Sequence, residues 1–208
     1  MSIEVTRETV VDLIEDIFLR RGADSYIGEP VTMSEHMLQA ALLAEQEDGS
    51  DAMIAAALLH DIGHYTSEFA PDAADQGIDN QHDAFGAKVL EPFFPPGVTE
   101  PVRLHVATKR YLCTADPTYF ARLSPASVLS LGLQGGPMTA EEAVEFERSP
   151  YKDIAVKVRL WDEAAKTPGL PTPDFAHYRP VLDRIVATSG NLDRGTAAPS
   201  RVVVQQGA

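Results

Sequence analysis

Cysteine is almost missing from this 208-residue chain: Cys113 stands alone, so no disulfide forms within it. Basic residues are also few. The 17 Lys and Arg against 31 Asp and Glu leave a net charge of −14. A chain this acidic has no general attraction for polyphosphate backbones, and nucleic acid is excluded as an expected partner. The longest wholly apolar run, Ala52–Leu59, spans eight residues, against the roughly 20 needed to cross a bilayer, so no membrane association is expected. Met1–Glu4 has neither the basic start nor the apolar stretch of a secretory signal. No segment alternates apolar with polar residues as a strand would, and no internal repeat is found. These absences point to a soluble, cytoplasmic protein. At about 1.4 typical domain lengths, a single domain is expected.

What is present is helical periodicity. Val10, Val11, Ile14, Ile17 and Phe18 fall on one helical face and predict a first helix over about 7–20. Thr32 followed by Glu35 is a capping box that opens a second helix to about Glu47. Ser50 caps a third, Ala-rich helix reaching His64, and a fourth is expected around Asn80–Leu90, ended by Pro92, Pro95 and Pro96. A fifth is expected from Thr99 to about Tyr111. Asp116-Pro117 and Ser124-Pro125 each place a cap before a proline at the first helical position. Thr139 with Glu142 is a second capping box, and helices are expected over about 151–166 and 173–188. The expectation is an all-α bundle of roughly eight to ten helices over 1–188. The Gly/Ser/Pro/Gln-rich stretch 189–208 is expected to be a flexible tail, with Val202–Val204 able to dock.

Five of the six histidines, His36, His60, His64, His82 and His105, lie where one site could use them. Asp61 follows His60 inside an apolar context, where a buried carboxylate needs compensation. A metal ion is the usual compensator, and imidazole with carboxylate suits Fe, Mn, Zn or Co. Asp162 has Arg159 three residues before it, and Lys109 follows His105 by one turn. Candidate ligands thus carry cationic or protonatable neighbours, an arrangement suited to an anion held against metal. His177 falls outside the pattern, and Trp161 and Cys113 read as packing residues.

His36, His60-Asp61 and Asp162 resemble the H…HD…D signature of the HD-domain superfamily, with His82 and His105 as the two added histidines of its binuclear members. YIGE at Tyr26–Glu29, KRYLC at Lys109–Cys113, LSPAS at Leu123–Ser127, LQGG at Leu133–Gly136 and RLWD at Arg159–Asp162 narrow the resemblance. They are similar to the small mixed-valence di-iron oxygenases that cleave carbon–phosphorus bonds. That resemblance implies an HD-type helical fold and two Fe ions working as Fe(II)/Fe(III). The implied ligands are His36, His60, Asp61, His82, His105 and Asp162, with Asp61 bridging. It implies O2 as co-substrate and a 1-hydroxy-2-aminoethylphosphonate, or its trimethylamino analogue, as organophosphonate substrate, cleaved to phosphate and glycine or glycine betaine. His64, Lys109, Ser127 and Arg159 would bind the phosphonate. Tyr26 would ligate iron until substrate arrives, and Glu29 would receive the substrate amine. Tyr26, Tyr65 and Phe69 are the aromatic faces available to a trimethylammonium group, towards which the expectation leans. The alternative enzyme is a metal-dependent HD phosphohydrolase acting on a nucleotide or other phosphomonoester. A non-enzymatic ligand-binding HD domain is a third reading, which would be expected to have lost ligands.

Overall fold

A computed structural model describes residues 2–26, 28–66, 76–189 and 200–203. Ten helices run through them: α1 (Val10–Arg21), α2 (Met33–Gln46), α3 (Asp51–Leu59), α4 (Gly63–Thr66), α5 (His82–Leu90), α6 (Pro96–Ala115), α7 (Pro125–Leu133), α8 (Ala140–Glu147), α9 (Lys152–Ala164) and α10 (Phe175–Ser189). A short 3-10 turn covers Phe120–Arg122. The fold is all-α, as the periodicity predicts.

The core is arranged around α3. Ala55 to Leu59 are all fully buried, so this helix is apolar on every side and takes the centre. It packs against α2, α6, α9 and α10. Its three consecutive alanines let those neighbours come close, and its C-terminal end delivers His60 and Asp61 into their midst. A smaller cluster of Leu104, Met138, Phe146 and Ala155 holds α8 against α6.

The capping signals act as expected at four helix starts, Ser50 accepting from the Met53 amide at the start of α3. Thr32 and Thr139 form reciprocal capping boxes with Glu35 and Glu142, and the Ser124 hydroxyl accepts from the Ser127 amide. Elsewhere the structure corrects the sequence reading. The third helix does not continue to His64: it stops at Leu59, and α4 restarts at Gly63 after a turn. Helix α6 begins at Pro96 rather than Thr99, because proline suits a first helical position, and it carries Pro101 inside. Asp116-Pro117 opens no α-helix. The Asp116 carboxylate instead accepts from the amide and hydroxyl of Thr118 in a turn.

Strands were not expected, yet Ser2–Val5 (β1) pairs antiparallel with Ser200–Val203 (β2), Ser2 opposite Val203 and Val5 opposite Ser200. Four residues of the tail expected to be flexible therefore dock on the N-terminus. Ser189 closes α10, while residues 190–199 and 204–208 of the tail, Val204 included, and Phe69 lie outside the described residues.

Candidate metal centre

Five elements of the bundle aim six side chains at one point. His36 sits in the first turn of α2, placed by the Thr32 cap. His60 and Asp61 follow the end of α3, His82 opens α5, His105 lies midway along α6 and Asp162 near the end of α9. All six are buried. Gly63 sets the spacing between His60-Asp61 and His82. A Cβ at Gly63 would overlap the His82 carbonyl oxygen and lie 2.8 Å from the Gly86 amide nitrogen, so only glycine lets α4 and α5 meet this closely.

The hydrogen bonds behind the rings fix which nitrogen faces inward. Nδ1 donates to the Ala165 carbonyl from His36 (2.9 Å), to Ala57 from His60 (2.8 Å) and to Val102 from His105 (2.7 Å). His82 Nδ1 donates to Asn80 Oδ1 at 2.8 Å. A carbonyl oxygen can only accept, so the hydrogen of each neutral ring sits on Nδ1 and Nε2 presents a lone pair. These Nε2 atoms face one another in pairs, His36 with His60 and His82 with His105, each at 3.0 Å. Two imidazole lone pairs this close repel unless a proton or a metal ion lies between them.

The carboxylates complete the set. Asp61 Oδ2 is 3.5 Å from His36 Nε2 and 3.4 Å from His60 Nε2, while Oδ1 is 3.5 Å from both His82 Nε2 and His105 Nε2. Each oxygen of one carboxylate thus serves one imidazole pair. Asp162 Oδ1 stands 3.5 Å from His36 Nε2. Asp61 Oδ2 and Asp162 Oδ1 are buried without a hydrogen-bond partner, an arrangement expected of metal ligands and costly otherwise. His36, His60 and Asp61, and again Asp61, His82 and His105, form two groups able to hold a metal ion.

Protonation equilibria agree with this donor set. Burial pushes the His105 pKa down to about 4 and holds His82 well below the ordinary imidazole value, so both stay neutral. Burial alone would raise the pKa of Asp61 and Asp162. The His60 and His36 imidazoles hold Asp61 well below the carboxylate range, and the Arg159 guanidinium does the same for Asp162. Burial opposes charge on His36, but the Asp162 and Asp61 carboxylates, each 3.5 Å from its Nε2, outweigh it and raise the pKa to about 9. The two carboxylates therefore demand a positive charge beside His36, and a metal ion meets that demand by displacing the proton.

A cavity of about 380 Å³ adjoins the cluster and is walled by Tyr26, His64, Lys109, Ser127, Ser130 and Arg159, among others. Lys109 Nζ donates to Ser130 Oγ at 2.7 Å, and burial together with Arg159 pushes its pKa down to about 7. Arg159 lines the cavity and uses each of its nitrogens once: it pairs with Asp162 and Glu163 and donates to the Tyr119 hydroxyl at 2.8 Å. His64 Nε2 is 3.9 Å from Asp61 Oδ1, and its ring stacks on His82 at 4.1 Å. The Tyr26 ring stacks on His36 at 4.2 Å, and burial holds its hydroxyl in the protonated form.

Two expectations for the amine end change. Glu29 lines the cavity, but its carboxylate already pairs with Lys166 Nζ at 3.2 Å and accepts from the Ser124 hydroxyl. Tyr65 offers no face, since its ring is buried under the Arg21 guanidinium, 5.0 Å from the centroid. His177 stays on the surface, paired with Glu45 at 2.9 Å.

Sequence reasoning missed Ser130, Tyr119, Glu163, Lys166 and Asn80. Lys166 and Glu163 follow Asp162 by four residues and one, so helical spacing could have found Glu163 beside Arg159. Tyr119 and Ser130 reach the site from loop and helix with no local signal.

Residues 33–144 match the HD domain family. The chain is 52% identical, over 88% of its length and 93% of the relative, to [1-hydroxy-2-(trimethylamino)ethyl]phosphonate dioxygenase (glycine-betaine-forming) of Leisingera caerulea. It is 46% identical to hydroxymethylphosphonate dioxygenase of Gimesia maris, over 85% of this chain and 87% of that one. An uncharacterised protein of Acanthamoeba polyphaga mimivirus is 34% identical over 87% of this chain and 84% of its own. With the histidine–aspartate cluster built as it is and these matches spanning most of its length, the chain belongs to the HD-domain family, in the branch that holds the two phosphonate dioxygenases.

Proposed function

We propose that this protein is an O2-dependent di-iron oxygenase that breaks the carbon–phosphorus bond of a 1-hydroxy-2-aminoethylphosphonate or its trimethylamino analogue. The observation that carries the reading is the convergence of four imidazole Nε2 atoms, in pairs, on the two oxygens of Asp61, beside a cavity lined by Lys109 and Arg159. The similarity to two phosphonate dioxygenases supports the choice of reaction over phosphate-ester hydrolysis. Overall, R–CH(OH)–PO3H2 and O2 give R–COOH and H3PO4, which balances without an external reductant.

In this reading His36, His60, Asp61 and Asp162 hold one iron, and His82, His105 and Asp61 the other. A mixed-valence pair, when bound, supplies oxygen activation and the electron transfers that break the C–H and C–P bonds. The remaining work belongs to the chain. Lys109, Ser127 and His64 bind the phosphonate oxygens, with Arg159 orienting them from its network with Asp162 and Tyr119. Charge-assisted hydrogen bonds of this kind are strong and directional. The acids Asp61, Asp162, Glu163 and Glu29 offset the cations Lys109, Arg159 and Lys166, so metal charge would strengthen the hold on a dianion. Tyr26, packed over His36, closes the cluster on the cavity side and is placed to move aside for substrate.

Lys166 on Glu29 means that a substrate ammonium must compete for that acid, whereas a trimethylammonium makes no such hydrogen bond and needs apolar walls. Ile78, Val106, Leu129 and Leu133 provide them. The test is product analysis in air with primary, mono-, di- and trimethylated 1-hydroxyphosphonates. Phosphate with the matching N-methylated glycine is the expected outcome. Turnover of a phosphomonoester without O2, with Mn in place of Fe, would select the hydrolase instead.

A further inference from the structure

Asn80 lies just before α5 and touches two histidines whose rings are stacked 4.1 Å apart, His82 and His64. The orientation of its amide is fixed by the backbone. The His82 amide N–H donates to Asn80 Oδ1 at 3.3 Å, and a backbone N–H only donates, so that atom is the oxygen. Oδ1 also accepts from His82 Nδ1 at 2.8 Å, which leaves His82 Nε2 bare and pointing at Asp61. Nδ2 then faces His64 Nδ1 at 3.1 Å and donates to it. A neutral imidazole that accepts at Nδ1 carries its hydrogen on Nε2; in His64, which lines the cavity, that Nε2 lies 3.9 Å from Asp61 Oδ1.

We infer that Asn80 is a positioning residue that sets two adjacent histidines in opposite tautomers, His82 as a metal ligand and His64 as a hydrogen-bond donor to the anion in the cavity. A carboxylate at this position could serve His82 but not His64, and an apolar side chain could serve neither. The neutral amide has one end for each. The assignment of His82 and His64 to metal and phosphonate rests on the proposed function. The tautomers themselves do not depend on whether the reaction is oxygenation or hydrolysis.

The test compares wild type, Asn80→Asp and Asn80→Leu as full-length, zinc-loaded protein, zinc being a diamagnetic substitute. Long-range proton–nitrogen correlation spectra read each imidazole tautomer, with His64 assigned through His64→Gln. Wild type should show His64 with hydrogen on Nε2 and the four cluster rings with hydrogen on Nδ1. Asn80→Asp should keep two metals per chain but lose the Nε2–H signature of His64, with inorganic phosphate binding weaker on the order of tenfold. Asn80→Leu should in addition bind metal at the His82–His105 half roughly 10–100-fold more weakly, as loss of a ligand's supporting hydrogen bond does. The inference is overturned if His64 keeps the Nε2–H tautomer in Asn80→Asp, or if Asn80→Leu, folded by circular dichroism, holds both metals and phosphate as wild type does.

Discussion

Asp61 is the residue on which both halves of the centre depend, because its two oxygens are divided between the His36–His60 and His82–His105 pairs. Asp61→Ala should therefore empty both sites rather than one, read as metal per chain after gel filtration. Retention of one ion would show that the halves are independent. Lys109 makes a different prediction. Burial and Arg159 hold its free pKa at about 7, so above that pH it is largely neutral. A bound dianion favours the charged form and raises that pKa. Binding of sulfate, which does not titrate in this range, should then take up a proton at pH 8 and not through Lys109 at pH 5.5, where the amine is already charged. Calorimetry in buffers of different ionisation enthalpy measures this. Lys109→Arg should abolish the uptake at pH 8, and an unchanged uptake in that variant would place the proton elsewhere. Part of this residue-level picture was legible in the chain: the six side chains that the resemblance marks as ligands converge in the fold, and Lys109 lines the cavity beside them. The Glu29–Lys166 pair was not, since it joins residues far apart in sequence through a fold that spacing alone does not supply.

At the scale of elements, local chemistry predicted what is local. The two capping boxes and the Ser124 cap are short-range hydrogen-bond patterns, and they appear where the sequence places them. Helix α6 begins earlier than expected because a proline pair reads equally well as the end of one helix or the start of the next. The packing of Val98, Val102 and His105 decides for the latter. The β1–β2 pair joins the two ends of the chain through four residues each, too short for alternation to register. Two substitutions separate structural from site effects. Thr139→Ala removes an exposed cap on α8 and should cost about 1 kcal/mol, lowering Tm by roughly 2–4 °C with metal content unchanged. Gly63→Ala forces α4 from α5 and should cost about 1–3 kcal/mol while weakening metal retention through displaced His82. Calorimetric melting with metal analysis distinguishes them, and a Gly63→Ala protein with wild-type metal content would contradict the close-approach role.

For the molecule as a whole, the centre is also a structural element. Four inward lone pairs and two unpartnered carboxylate oxygens are gathered where five helical elements meet, so ions that bind only the folded chain stabilise it. At a free metal concentration a hundredfold above Kd, each site adds about 2.7 kcal/mol. That corresponds to roughly 5–10 °C in Tm for a chain of this size. A chelator should reverse the gain, and a melting curve indifferent to metal would argue against the cluster as a binding site. The acidic surface and the inward placement of Lys109 and Arg159 fit one scheme, in which anion affinity is confined to the cavity and depends on the ions. The most direct measurement of the central claim is phosphate release and O2 consumption by the iron-loaded protein given a 1-hydroxyphosphonate. One phosphate should appear for each O2 consumed, and release should stop when O2 is removed. Phosphate release that continues unchanged without O2 would contradict it.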